Sequence, residues 1–366
     1  MHIVIDARSR PSGMGAGRYI DRLLEHLQTI DHDNPYTILV RPTDQWQPTA
    51  PNFAALPCPF KQFSFNILDQ VTFGRFLKKL QPDLVHFGMT PQEPMLYWGK
   101  RITTAHDLTM FHYVRAGGLP IVVHWARMVG YRVTFWWSLR RASKIITPTQ
   151  FVADDIAKHY PFTKDKLTFT YESSEPELAT QAEQPPAVNT PFIMHVGSPF
   201  PHKNIEGLIA AFEIIKQKHP KLQLVLAGKN EKYFQALQDS LSNNPIKDSV
   251  VFTGFVPDSA LKWLYQNAEA YVLPSFSEGF GLVGLEAMVH GCPLISSNAT
   301  CLPEVYGQAA QYFDPHNPKD IAKAIDVVIS DASLQKDLVK KGQAQLKKYS
   351  WQKMAEQTLA VYREIL

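Results

Sequence analysis

Cysteine is scarce in this sequence. Cys58, Cys292 and Cys301 are the only three in 366 residues, with no CxxC and no metal-ligand spacing. That excludes a disulfide-built scaffold and a cysteine zinc site, and it is what a reducing compartment leads one to expect. Excess charge is missing too. Lys+Arg number 37 against 34 Asp+Glu, a net charge of +3. A generic nucleic-acid binder would carry a larger basic surplus. No apolar run reaches 18 residues. The nearest, "PIVVHWARMVGYRVTFWW", is broken by His124, Arg127 and Arg132, so no spanning helix is expected. The opening "MHIVIDARS" lacks the basic, apolar and small-residue order of a signal peptide. Asn298-Ala-Thr300 matches a glycosylation sequon, but nothing else suggests secretion. The expectation is a cytoplasmic protein, with the inner membrane face open as a peripheral location.

What is present is a long alternation of strand and helix patterns. The first half offers "HIVIDA", "YTILV", "DLVHF", "RITTAHD", "SKIITPT" and "KLTFTYE"; the second "FIMHVG", "LQLVLAG", "VVFTGF", "AYVLPS" and "PLISS". Most are continuous apolar runs, as strands buried on both faces of a parallel sheet must be. Ile20, Leu23, Leu24, Leu27 and Ile30 fall on one helix face. The fold class is therefore α/β, doubly wound, with right-handed crossovers.

The length predicts two domains. Residues 172–191 are polar with four prolines and read as a linker. The division expected is 1–175, a linker at 176–190, a second domain at 191–349 and a final helix at 350–366. Ser350 is the expected N-cap of that helix. Its stripe of Trp351, Met354, Ala355, Leu359, Tyr362 and Leu366 must be buried somewhere. Two open α/β sheets present two sets of strand C-terminal ends, where ligands bind. A cleft between the domains is the expected site.

Candidate residues follow strands. Gly13-Met-Gly15-Ala-Gly17 is a poor dinucleotide fingerprint: Arg8 to Ser12 intervene after the strand, and no acidic residue follows the next one at Val40-Arg41-Pro42. It reads instead as a glycine loop opening a helix against an anion, or as an ordinary turn. His106-Asp107 ends a buried strand; a cleft-facing pair competes with a capping aspartate and a core histidine. His202 and Lys203 precede a helix expected near Asn204, where a positive charge at a helix N-terminus suits phosphate. A solvated lysine is the plainer alternative.

The stretch "PSFSEGFGLVGLEAM" (Pro274 to Met288) is more specific. Glu278 lies in a turn, and Glu286 about two turns into an otherwise apolar helix taken to start at Phe280. A carboxylate there needs partners, and the two hydroxyls of a ribose can both donate to it. Gly279 and Gly281 leave backbone N–H groups open for a diphosphate or a sugar. The alternative is a structural Glu286 paired with Lys or Arg, and an exposed Glu278.

Glu278-x(7)-Glu286 within "SEGFGL" resembles the signature of the retaining GT-B glycosyltransferases of family 4. "GAGRYI" (Gly15 to Ile20), "HDL" (His106 to Leu108), "VGSPFPHKN" (Val196 to Asn204), "FTGFV" (Phe252 to Val256) and "YSWQKMAEQTLAVY" agree in order. The resemblance implies two Rossmann-like domains, a cleft between them, and a terminal helix crossing back to the first. It implies that Glu286 binds the ribose. Glu278, with the amides of Gly279, Phe280 and Gly281, would hold the transferred sugar and its phosphate. Lys203 would neutralise the diphosphate; Phe255 and Val256 would face the base. Gly15 would lie against the diphosphate and His106 beside the sugar. His106, Glu278 and Lys203 are thus the catalytic candidates. Ser198 and Leu282 join the donor-binding set. Many relatives carry Arg where Ser198 stands, so the clamp here leans more on Lys203.

The implied reaction moves a hexose with retention from a UDP- or GDP-sugar to a hydroxyl of a glycan or lipid-linked acceptor, in polysaccharide biosynthesis. No essential metal and no cofactor beyond the nucleotide-sugar co-substrate is expected, and no nucleic-acid partner. The alternatives are a nucleotide-sugar-binding protein without transfer activity and, behind it, an NAD(P)-dependent oxidoreductase.

Two features stay outside this reading. Twelve of the thirteen arginines lie in the first half, which should face something anionic. Trp125, Arg127, Arg132, Trp136, Trp137, Arg140, Arg141 and Lys144 crowd one segment. It could touch an anionic membrane or a lipid-linked acceptor; a core helix with a solvated basic face is the plainer reading.

Overall fold

A computed structural model describes residues 1–10, 15–62, 64, 66–113, 121–174, 181–228 and 231–365. Contacts divide the chain into two compact units, Met1–Glu172 with Ser350–Leu366, and Ser173–Tyr349. The first division falls after Glu172 rather than after residue 175.

Unit 1 begins β1 (Ile3–Asp6), α1 (Gly15–Ile30), β2 (Tyr36–Val40), β3 (Phe53–Pro57), α2 (Ile67–Lys79), β4 (Leu84–Phe87) and β5 (Arg101–Thr104). It continues with α3 (Thr109–His112), α4 (Ile121–Arg141), β6 (Lys144–Thr147), α5 (Gln150–His159) and β7 (Leu167–Phe169). The strands form one parallel sheet in the order β3-β2-β1-β4-β5-β6-β7. β1 and β4 are buried along their whole length. Their apolar runs leave no polar face for water, so helices must cover both sides.

Unit 2 contains β8 (Phe192–Val196), α6 (Ile205–Lys218), β9 (Gln223–Ala227), α7 (Glu231–Ser240), β10 (Val250–Gly254), α8 (Asp258–Asn267) and β11 (Ala270–Leu273). It ends with α9 (Leu282–Val289), β12 (Leu294–Ser297), α10 (Leu302–Tyr306), β13 (Ala310–Phe313), α11 (Pro318–Ile329) and α12 (Ala332–Leu346). Its six strands are parallel, in the order β10-β9-β8-β11-β12-β13. One face of α6, with Leu208, Phe212 and Ile215, packs with α11 residues Ile321, Ile325 and Val328 on the sheet. β3 and β13 have no counterpart among the sequence-expected strands.

The last helix, α13 (Trp351–Ile365), returns to unit 1 and packs on α1. Ser350 Oγ accepts from Lys353 N at 3.3 Å. Trp351, Met354, Ala355, Leu359 and Tyr362 are buried, each large side chain contributing about 1.5–3 kcal/mol. Leu366, the last member of the expected stripe, lies outside the described residues. The Tyr362 hydroxyl meets His86 Nδ1 at 2.6 Å, tying α13 to β4.

Candidate active site

In a doubly wound sheet the crevice opens where the strand order reverses. In unit 2 that point lies between β8 and β11. The loops leaving β8, β11 and β12 converge there, and they carry the residues singled out in sequence.

The β8 loop turns through a single 3-10 turn at Pro201–Lys203, and Asn204 then caps α6 in the left-handed region, at φ 54°. Asn204 Nδ2 donates to Pro274 O at 3.1 Å and to Pro315 O at 2.8 Å, stapling this loop to those after β11 and β13. Phe276 N donates to His202 O at 2.8 Å. The loop is held so that Lys203 Nζ reaches Glu278 Oε1 at 2.7 Å, and Ser275 Oγ donates to the same oxygen at 2.7 Å. Glu278 N donates to Thr300 Oγ1 at 3.1 Å, and Cys301 Sγ lies 3.2 Å from Glu278 O. Glu278 is thus fixed from three loops. Burial pushes its carboxyl up, but the Lys203 charge, the Lys203 and Ser275 hydrogen bonds and the nearby His202 outweigh burial and hold it below the ordinary range. Neither bland alternative survives here: Glu278 is not an exposed carboxylate, and Lys203 is not simply solvated.

The helix after the turn starts later than its sequence suggests. Phe280 and Gly281 precede α9, and Gly281 is its N-cap at φ 88°. Glu286 is therefore just over one turn into the helix, not two. Only glycine fits at 281: a Cβ would meet the Tyr306 hydroxyl at 2.3 Å, and that hydroxyl donates to Gly281 O. The Phe280 side chain turns into the core against Tyr349, so any role it has toward a ligand is through its backbone. The first amides of α9 have no partner within the helix and carry its positive dipole end. Glu286 is half-buried and accepts from the Tyr265 hydroxyl at 3.1 Å. Tyr265 stacks on His290 at 5.4 Å. Burial and the Glu286 charge raise the Tyr265 phenol, so it stays a donor.

His195, not foreseen in sequence, occupies β8 one residue before its end. Its Nδ1–H donates to Val272 O at 2.9 Å, which leaves Nε2 as an acceptor. Burial keeps the ring neutral, with a pKa of about 4. Of the remaining donor candidates, Ser198 and Val256 are half-buried and Phe255 is 66% exposed. Gly254, just before them, has φ 65°.

In unit 1 the reversal lies between β1 and β4. His106 sits past the end of β5, its Nε2–H donating to Gly88 O at 3.0 Å, with the Tyr19 ring edge-on at 5.2 Å. Its Nδ1 faces the Glu172 carboxylate at 3.6 Å. Burial lowers the imidazole pKa, but Glu172 and the Gly88 carbonyl outweigh it and raise the net value. Glu172, read in sequence as the first linker residue, is 3% exposed. Asp107 Oδ1 accepts from Thr109 N at 2.8 Å, just before α3, whose N-cap is Leu108. Gly15 opens α1; Gly13 and Met14 lie outside the described residues. Among the described residues no cluster of three or more His, Cys, Asp or Glu could hold a metal ion. The three cysteines are buried free thiols.

Sequence families follow the same division. The Glycosyltransferase Family 4 model matches residues 14–172, and the Glycosyl transferases group 1 model matches 179–345. O-antigen chain mannosyltransferase B of Escherichia coli is 30% identical over 273 residues, 72% of this chain and 70% of that protein. Serotype-specific mannosyltransferase WbdA of Escherichia coli is 34% identical over 181 residues, 48% of this chain but 22% of that longer protein. O-antigen chain mannosyltransferase RfbU of Salmonella typhimurium is 29% identical over 222 residues, 61% of this chain and 59% of the other. Among solved structures, sucrose-phosphate synthase from Thermosynechococcus elongatus superposes with a TM-score of 0.78 at 19% identity, covering 100% of this chain and 99% of that one. HepE of Anabaena, solved with UDP-glucose, gives 0.74 at 16% identity over 100% of both chains. With both halves matched in order and two parallel Rossmann-like sheets present, this chain belongs to the group 1, family 4 glycosyltransferases and has their GT-B fold.

Proposed function

We propose that the protein transfers a hexose, with mannose the first to test, from a GDP- or UDP-sugar to a hydroxyl of a glycan or lipid-linked acceptor in surface-polysaccharide synthesis. The observation that carries this is the Lys203–Glu278–Ser275 cluster at the switch point of unit 2, one turn of helix from Glu286. The names of the O-antigen mannosyltransferases, as the relatives matched, favour mannose and a polysaccharide acceptor.

In this reading Glu286 takes the ribose hydroxyls, with Tyr265 orienting its carboxylate. The diphosphate sits at the first amides of α9, where Gly279, Phe280, Gly281 and Leu282 offer backbone rather than side chain. Lys203 supplies the full positive charge. Departure of the nucleoside diphosphate leaves an oxocarbenium-like sugar, so positive charge fixed at the leaving oxygens lowers the barrier. Glu278, locked by Lys203 and Ser275, faces the sugar. Ser198, Phe255 and Val256 complete the donor contacts. His106 and Gly15 are assigned on the resemblance alone, to the transferred sugar and the diphosphate. Retention by a front-face path, with the leaving phosphate taking the acceptor proton, is inherited from the same resemblance. No metal is assigned to the reaction.

A thermal-shift panel of GDP-mannose, UDP-glucose and ADP-glucose, followed by assay of nucleoside diphosphate release, tests the reading. One donor should raise Tm and be turned over. A protein that binds none of them, or that binds one but releases no nucleotide with any acceptor, contradicts it.

A further inference from the structure

Helix α4 has two apolar faces. Met128, Phe135 and Leu139 are buried, the latter two in a core cluster of unit 1. A second stripe, Val122, Trp125, Val129, Val133 and Trp136, recurs at intervals of three and four residues and points to water. These five are 75%, 59%, 58%, 49% and 42% exposed. A core helix with a solvated polar back does not look like this. Such a patch marks an interaction surface.

The charges on the helix say what kind. α4 carries four arginines and no acidic residue. Arg132 and Arg140 fall within the stripe by the same spacing. Both are exposed and lie over aromatic rings, Arg132 on Phe111 at 5.8 Å and Arg140 on Phe162 at 5.7 Å. At its C-terminal end the stripe continues onto Trp98, 64% exposed, with Arg141 over its ring at 4.3 Å. From residue 121 to 166 the chain has eight Lys or Arg against three acidic residues. Tryptophan and valine beside arginine, with no acid, match a helix lying in the headgroup boundary of an anionic bilayer. Among the described residues no helix is long and apolar enough to cross a membrane, so α4 would lie on the surface.

We propose that the exposed face of α4 docks unit 1 on an anionic lipid bilayer, its aromatic and valine stripe entering the headgroup boundary and its arginines pairing with lipid phosphates. This goes beyond the transfer reaction and does not depend on the donor or acceptor.

Co-sedimentation of the full chain with vesicles tests it, comparing phosphatidylcholine alone with phosphatidylcholine containing phosphatidylglycerol, at low and high salt. Wild type should pellet with the phosphatidylglycerol vesicles, with a blue shift of tryptophan emission. Val129→Asp with Val133→Asp should lower partitioning by tenfold or more. Arg132→Gln with Arg140→Gln should weaken it by on the order of tenfold and flatten the salt dependence. Because these side chains are exposed, circular dichroism and Tm should match wild type. Trp125→Ser, which adds no charge, should weaken binding and serves if the aspartate pair misfolds. Failure of wild type to bind phosphatidylglycerol vesicles would overturn the proposal, as would binding that survives the stripe variants. A dimer in sedimentation velocity that Val129→Asp with Val133→Asp turns into monomer would also overturn it, by showing that a second copy covers this face.

Discussion

At the residue scale, the site turns on Glu278, a carboxylate that burial alone would push towards its neutral form and that its partners keep ionised. On the proposed reading, Glu286→Ala removes the acceptor of the ribose hydroxyls. A hydrogen bond to a charged acceptor is worth about 1.5–3 kcal/mol, so the loss of even one should lower donor affinity by calorimetry about tenfold to a hundredfold, and the loss of both should lower it further. Unchanged affinity would remove Glu286 from the donor site. Lys203→Met leaves Glu278 half-buried without its counter-charge. In wild type the folded pKa of Glu278 is depressed, so its contribution is present above the ordinary value of about 4.3 and is lost as pH falls through the folded value. The Tm gap between wild type and Lys203→Met should therefore be several degrees at pH 7 and close below about pH 4. A gap that does not change with pH would deny the pairing. Glu172→Gln should lower the pKa of His106, whose imidazole the carboxylate now holds up. The His106 titration, followed by NMR, should move to lower pH.

At the element scale, the turn into α9 sets the geometry. Gly281→Ala forces a Cβ against the Tyr306 hydroxyl in a left-handed backbone, at a cost of about 1–3 kcal/mol. Thermal unfolding should show the loss, and donor binding should weaken with it. This turn was partly legible in sequence. Glycines beside Glu278 announced an open backbone, but nothing marked residue 281 as the left-handed cap, so the helix start fell two residues early. β3 and β13 escaped for a related reason. "FAALP" and "AQYF" are edge strands: the first is weak in strand formers, with two alanines and a closing proline, and the second is broken by Gln311, so neither shows the Val- and Ile-rich pattern that revealed most of the central strands. The partners that hold the site were the least legible part. Thr300 looked like half of a sequon and Glu172 like linker, while Tyr265 and Ser275 carried no signal at all. Their roles come from loops, and for Tyr265 from helix α8, that the sheet order brings together, and a linear motif does not contain that order.

At the scale of the whole molecule, α13 belongs to unit 1 although it is separated from the rest of that unit by all of unit 2. Tyr362→Phe removes a hydroxyl from buried His86 and should cost about 0.5–1.5 kcal/mol in denaturant unfolding. Burial lowers His86 to a pKa of about 3, so this ring should make unit 1 lose stability as pH falls below about 6.5, where the unfolded chain takes up the proton. His106, with a raised value, acts in a different window: its contribution is fully present below about 6.5 and is lost as pH rises through the folded value.

The late arrival of α13 also bears on how the protein is made. A ribosome finishes every residue of unit 2 before it reaches Trp351, so the half whose synthesis starts first cannot be completed until last. Until then the seat that α13 will occupy on α1 stands open, and a released fragment ending at residue 349 should be prey for holdase chaperones at its older half while its younger half resists protease.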